Sequence, residues 1–118
     1  MTENIVLLKI KDFINGEKAV SSDDGDILFG RIVEEIKSGS IVELDFSGII
    51  IMTTAFLNSA IGQLYSIFSS EQLNKSIKLI NVENEDKILF KKVIDRAKEF
   101  FANRKGFEDS ADNAIYGH

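Results

Sequence analysis

The chain has 118 residues, of which 44% are hydrophobic and 28% charged, a composition typical of a folded globular domain. This length predicts one domain, which we place at residues 1–106, followed by a tail over 107–118. Without cysteine the chain has no disulfide, thiolate nucleophile or thiolate metal site. Its 14 basic and 19 acidic residues leave a net charge of -5, which works against binding to nucleic acid or to an anionic membrane.

The first segment favours a β-hairpin. Residues 4–13 are rich in Ile, Val and Leu, Asn15-Gly16 suits a tight turn, and residues 17–20 are predicted to return as the second strand. No basic leader precedes the short apolar run. The longest uncharged stretch, residues 46–70, is interrupted too often by polar residues for a membrane span. We therefore expect a cytoplasmic location.

The next segment carries the signals of an amphipathic helix. Ser21 or Ser22 can cap it, and Gly39 is suited to the position after its end. Its buried side is predicted to consist of residues four apart, namely Leu28, Ile32 and Ile36. Three aspartates near the start complement the helix dipole. They lack the glutamate of a calcium loop, and no metal site is predicted.

Residues 41–46 (IVELDF) predict a strand, and the wholly apolar residues 49–52 predict a buried extended segment. Thr53 or Thr54 can cap a second helix that follows. A single apolar stripe predicts that this helix continues to the polar residues 69–74, and the stripe consists of Leu57, Ile61, Leu64 and Phe68.

Residues 76–82 predict the last strand, and Asn84 can cap a third helix, which we expect to end at Gly106. Strands that alternate with helices favour parallel pairing. The sequence therefore predicts a small α/β domain. We expect a mostly parallel sheet of about four strands, with the helices packed on one face and the N-terminal hairpin contributing to the sheet.

The middle of the chain resembles a known family. A strand ending in Leu-Asp-Phe, a glycine, a hydroxyl pair and a helix beginning Phe-Leu-Asn are typical of a STAS-like bacterial domain family of unknown function. That family is related to the STAS domain of anti-sigma factor antagonists. The residues that carry the resemblance are Leu44, Asp45, Phe46, Gly48, Thr53, Thr54, Phe56, Leu57 and Asn58. The resemblance implies a STAS-like fold and a non-catalytic regulatory module for partner switching. Its partner would be a histidine-kinase-like ATPase or an anti-sigma factor.

The resemblance also implies a phosphorylated hydroxyl before the second helix, with Thr54 or Thr53 as candidates. Antagonists carry Asp-Ser-Ser/Thr-Gly at this turn. Aligning Phe56-Leu57 with the family's Gly-Leu places Ala55 at the acceptor position, and a register shifted by one residue places Thr54 there. Neither register keeps the acidic residue. From the residues alone, the simpler role for one of these threonines is an N-cap.

The second helix is also unusual because its predicted outer side carries no charge. Charge depletion is typical of interface cores, so this side is a candidate surface for a partner. The alternative is that other parts of the domain cover it. The candidate surface consists of Thr53, Thr54, Asn58, Ser59, Gly62, Gln63 and Ser66.

Two other functions remain open from the sequence. Asp45 ends a strand, where α/β folds place ligand-binding residues, so Asp45 and Thr53 are candidates for a small-ligand or nucleotide site. Alternatively, Asp45 caps the following turn. The neutral side of the second helix also suits a homodimer. We expect no enzyme activity and no cofactor, because the sequence lacks a phosphate-binding loop, a catalytic triad and a metal-ligand cluster.

Overall fold

The computed structural model describes residues 4–14 and 16–116, with side chains described as far as Ala102. This part of the chain contains both strands and helices. In order they are β1 (Ile5–Lys9), a 3₁₀ helix (Ile10–Phe13), β2 (Lys18–Ala19), α1 (Ser22–Lys37), β3 (Ile41–Asp45), β4 (Ile51–Met52), α2 (Thr54–Ala60), a 3₁₀ helix (Gly62–Ser66), α3 (Ser70–Ser76), β5 (Ile77–Ile80) and α4 (Asn84–Tyr116).

The described strands form two sheets, and every strand pair is parallel. The larger sheet has the order β1-β3-β5, and the smaller consists of β2 and β4. The register places Ile5 beside Ile41 and Val42 beside Ile77. The predicted α/β class and parallel pairing are therefore confirmed. The single sheet of about four strands is wrong, because three strands form one sheet and two short strands form another.

The predicted N-terminal hairpin is also wrong. After β1 the chain enters a 3₁₀ helix, and β2 pairs with β4 instead of β1. An isolated hairpin buries little apolar surface. Parallel pairing with β3 instead leaves Leu8 only 4% exposed, and the 3₁₀ helix packs against α1 with Ile10 fully buried. Burial in the common core therefore outweighs the local turn preference of Asn15-Gly16, of which Asn15 lies outside the described residues.

The two faces of the larger sheet differ in exposure. Most side chains on one face are buried or half-buried in the core, as are Val6, Leu8, Val42, Leu44 and Ile77, whereas Leu79 on the same face is 36% exposed. On the other face, Ile5 and Leu7 are about half exposed and Lys78 is exposed. Helices α1 and α3 contact the sheet, and Phe90 of α4 makes an edge-to-face contact with Phe46. The prediction that the helices pack on one face agrees with this pattern.

Helix α1 has the predicted start and end. The Ser21 hydroxyl accepts a hydrogen bond from the Asp24 N–H at 3.0 Å, and Gly39 follows the helix with φ 87°. Gly25 lies directly against α2, because a Cβ at this position would stand 2.6 Å from the Phe56 carbonyl oxygen. The first two main helices therefore approach each other at a position that has no side chain.

The second predicted helix is divided into three shorter segments. Its apolar stripe is buried as predicted, but α2 ends at Ala60 and a 3₁₀ helix follows from Gly62. Gly62 is buried, and a Cβ there would lie 3.8 Å from side-chain atoms of Val93 and Ala97 on α4. The polar segment that was expected to end the helix forms α3, capped by Ser69.

Helix α4 begins at Asn84, so the predicted cap residue is the first residue of the helix, and the Glu83 carbonyl accepts the first helical hydrogen bond, from the Lys87 N–H at 3.2 Å. The helix does not end at Gly106 but continues to Tyr116. A glycine inside a helix costs only about 1 kcal/mol relative to alanine, so it does not end a helix by itself. Most of the predicted tail is thus helical, and residues 117–118 lie outside the described part. The boundary at residue 106 stays a prediction. Among the residues described, none of the helices combines the length and apolar character that a membrane crossing requires.

Candidate functional site

Thr53 connects the smaller sheet to the start of α2. Its N–H donates to the Ala19 carbonyl at 3.0 Å, and its hydroxyl donates to the Val20 carbonyl at 2.9 Å. The same hydroxyl accepts from the Phe56 N–H at 3.2 Å. The predicted capping role is therefore confirmed, and it belongs to Thr53. These three hydrogen bonds place the start of α2 beside the end of β2.

The two candidate phosphoacceptors differ in what a phosphate would disrupt. The Thr53 hydroxyl acts as both donor and acceptor inside the domain, so its modification would remove the cap. Thr54 is half-buried in the first turn of α2, and Ala55 beside it is exposed. Thr54 is thus the residue whose modification leaves the Thr53 hydrogen bonds in place. Phosphorylation at either residue stays a prediction.

The structure divides the predicted neutral surface into covered and exposed parts. Gly62 is buried against α4, and Ser59 is half-buried beside Gly25 of α1. The Gln63 amide donates to the Asp26 carboxylate of α1 at 2.8 Å and to the Ser59 carbonyl at 2.9 Å. Packing within the domain therefore accounts for the neutral residues at these positions. Among the other members, Thr53 and Thr54 are half-buried, and Asn58 and Ser66 are exposed.

Exposed isoleucines precede α2, although the sequence pattern predicts that they are buried. The apolar residues 49–52 were predicted to be buried, but Ile50 is 71% exposed and Ile51 is 45% exposed. Only Ile51 and Met52 form strand β4, and the Ile50 N–H donates to the Glu17 carbonyl at 2.9 Å. An apolar run ordinarily predicts burial, so no local signal in the sequence could have found this exposure.

These isoleucines and the exposed or half-buried positions of α2 follow one another along a short run of chain. We call this set the α2 entry surface. It carries no charged side chain and consists of Ile50, Ile51, Thr54, Ala55 and Asn58.

Asp45 is held in a structural arrangement at the end of β3. Its Oδ1 accepts hydrogen bonds from the Asn81 side-chain amide and from the Ser47 N–H, both at 2.9 Å. These two contacts, the Asn81 amide first, lower the pKa of the Asp45 carboxyl below its ordinary value. Asn81 adopts a left-handed backbone conformation with φ 57°. Asp45 thus connects the turn after β3 to the end of β5, as in the turn-capping alternative.

The described hydrogen bonds do not connect the two residues of the predicted ligand site. Asp45 bonds to the turn after β3 and to the residue after β5, whereas Thr53 bonds to β2, the residue after it and α2. A ligand at Asp45 and Thr53 therefore stays a prediction. In the described part of the chain, no three His, Asp or Glu side chains cluster closely enough to hold a metal ion.

Comparison with known proteins identifies the family. A family model described as a STAS-like domain of unknown function (DUF4325) matches residues 24–87, which is more than half of the chain. The matched segment runs from the start of α1 to the first turn of α4 and includes Asp45 and the α2 entry surface. No curated protein and no solved structure matches the chain significantly. The resemblance in the sequence is therefore confirmed, and the chain belongs to the STAS-like domain family of unknown function DUF4325.

Proposed function

We propose that the protein is a non-catalytic regulatory module that binds another protein through the α2 entry surface. The likeness of its sequence to anti-sigma factor antagonists supports a partner-switching role. The partner is then a histidine-kinase-like ATPase or an anti-sigma factor, and the cytoplasmic location predicted from the sequence suits such a partner.

The exposure of Ile50 and Ile51 is the observation that carries the proposal. Burial of an apolar side chain of this size contributes about 1.5–3 kcal/mol. Because Ile50 is 71% exposed and Ile51 is 45% exposed, only part of that free energy is left for each of them to contribute to binding a partner. Exposed apolar residues grouped on a surface mark interaction sites more often than isolated ones do.

The absence of charge on the entry surface supports the same function. A charged side chain in the middle of a contact must lose its water, which costs several kcal/mol unless the partner compensates it. Thr54, Ala55 and Asn58 avoid that cost, and the Thr54 hydroxyl and the Asn58 amide can form hydrogen bonds to a partner. Packing inside the domain does not explain the lack of charge at exposed Asn58, whereas it does at Gly62.

The proposal of a non-catalytic role rests on Asp45. Catalysis by a carboxylate requires access to a substrate and a second functional group. The Asp45 side chain is 9% exposed, and its Oδ1 accepts two hydrogen bonds from the domain itself. Its lowered pKa keeps it ionised at neutral pH, so it is suited to the structural connection and unsuited to the role of a general acid.

A charge substitution at Ile50 tests the proposed function. We expect Ile50→Asp to weaken binding to the kinase-like ATPases of the source cell by at least about tenfold, or about 1.4 kcal/mol. Ile88→Asp is the matched control, because Ile88 is 75% exposed on α4, outside the entry surface. Affinity is measured by calorimetry with each purified ATPase, and folding by circular dichroism.

Equal weakening by both variants, or no effect of Ile50→Asp on a partner that binds the wild type, would refute the docking surface. The mass in solution tests the alternative of a homodimer. A wild-type dimer that Ile50→Asp dissociates, together with no binding to an ATPase, would show that the surface serves self-association.

A further inference from the structure

A cavity lies on the helical side of the larger sheet. It has a volume of about 130 Å³, is partly open to solvent, and is lined by residues of the 3₁₀ helix Gly62–Ser66, α3, β5 and α4, together with the residue after α2. Its wall is almost entirely aliphatic, and the aliphatic residues are Ile61, Leu64, Leu73, Ile77, Leu79 and Ile94. Since apolar walls offer water few hydrogen bonds, an apolar molecule gains free energy by entering such a space.

Two residues add polar groups to this apolar wall. Tyr65 lines the cavity from the 3₁₀ helix, and Asn74 lines it from α3. Burial, and secondly the negative charge of Asp95, raises the pKa of the Tyr65 hydroxyl above its ordinary value. Tyr65 therefore remains a neutral hydroxyl that can both donate and accept a hydrogen bond. Ligand sites commonly combine mainly apolar walls with a few polar groups that orient the ligand.

The cavity is of the right size for one aromatic ring. A closed apolar protein cavity of about 150 Å³ binds benzene, and the partly open cavity here has a similar volume. Leu79 is 36% exposed, so one wall of the cavity also borders solvent. We infer that this cavity binds a small molecule that carries one benzene-sized apolar group and a polar substituent. This inference does not depend on the proposed docking function.

Methyl NMR with benzene and phenol as probes tests the inference. Titration of either probe into the wild-type protein should give saturable shifts of the Ile61, Leu73 and Ile94 methyl signals. Leu79→Phe should fill the cavity from β5 and weaken probe binding by about tenfold or more. Ile94→Phe should do the same from α4. Leu7→Phe is the matched control, because Leu7 lies on the open face of the sheet.

The titrations distinguish binding of the probe in the cavity from weak adsorption to the protein surface. Loss of binding in either folded Phe variant of the cavity, with wild-type affinity in Leu7→Phe, supports the inference. Absence of saturable methyl shifts in the folded wild-type protein would overturn it. Equal affinity in the wild type and in all three variants would overturn it as well.

Discussion

The contact between α1 and α2 predicts that alanine substitutions at Gly25 and Gly30, two glycines of α1, change the free energy of unfolding in opposite directions. A Cβ at Gly25 would stand 2.6 Å from the Phe56 carbonyl oxygen and 2.7 Å from the Ser59 Cβ, whereas ordinary contacts begin at 3.4 Å. The two helices would have to separate by about 0.8 Å to admit a methyl group. Overpacking of this kind costs about 1–3 kcal/mol. We therefore expect Gly25→Ala to lower the free energy of unfolding by about that amount.

Gly30→Ala is the matched control, because no atom lies within 4 Å of a Cβ placed there. Alanine loses less backbone entropy than glycine in a helix, so this variant should be about 0.5–1 kcal/mol more stable than the wild type. Urea unfolding measures both changes through the midpoint at constant slope. A Gly25→Ala variant that is as stable as Gly30→Ala would show that the close approach of the helices does not exist.

Two further predictions concern the hydrogen bonds around the candidate sites. Thr53→Ala removes the α2 cap and the bond to Val20, so its free energy of unfolding should fall by about 1–2 kcal/mol, while Thr53→Ser keeps the hydroxyl and most of the stability. Equal losses in the two variants, measured by urea unfolding, would contradict the capping role. Because the pKa of Asp45 is lowered in the folded state, its ionised carboxylate contributes to the free energy of unfolding. This contribution is complete above the pKa of an unfolded Asp, about 3.9, and is lost as the pH falls through the pKa of Asp45 in the folded state. Wild-type protein should therefore lose more stability than Asp45→Asn below about pH 4, and parallel pH profiles of the two proteins would count against this prediction.

Helix α1 and strand β3 could be predicted because their signals are local and agree with each other. Ser21 caps α1, the stripe at Leu28, Ile32 and Ile36 is buried, and Gly39 follows in a left-handed conformation. The capping threonine before α2 could be predicted for the same reason. The hairpin could not, because the partner of β1 is chosen by burial across the whole domain.

The division of the second helix illustrates a limit of periodicity. The apolar stripe continues to face the core through α2, the 3₁₀ helix and Phe68, so the sequence pattern does not mark the break. Gly62 was an available signal, since glycine is a weak helix former. For α3, Ser69 followed three residues later by Gln72 matches a capping box, a local signal from which the start of this helix could have been predicted.

The candidate site was only partly predictable. Thr54 and Asn58 were identified from the lack of charge, but the exposed side chains of Ile50 and Ile51 were not. Exposure of an apolar run depends on how much of it other elements cover. Here β4 is only two residues long and pairs with the equally short β2, so these isoleucines are left uncovered.

The parallel pairing of every described strand affects the rate at which the chain folds. Ile5 pairs with Ile41 and Val42 pairs with Ile77, so each pair in the larger sheet joins residues about 35 positions apart. Such distant contacts require the closure of long loops and slow folding. During synthesis at about 5–20 residues per second, β1 emerges about 2–7 s before its partner β3. During this interval its apolar side chains lack their partner strand, and exposed apolar surface of this kind makes a folding chain prone to aggregation.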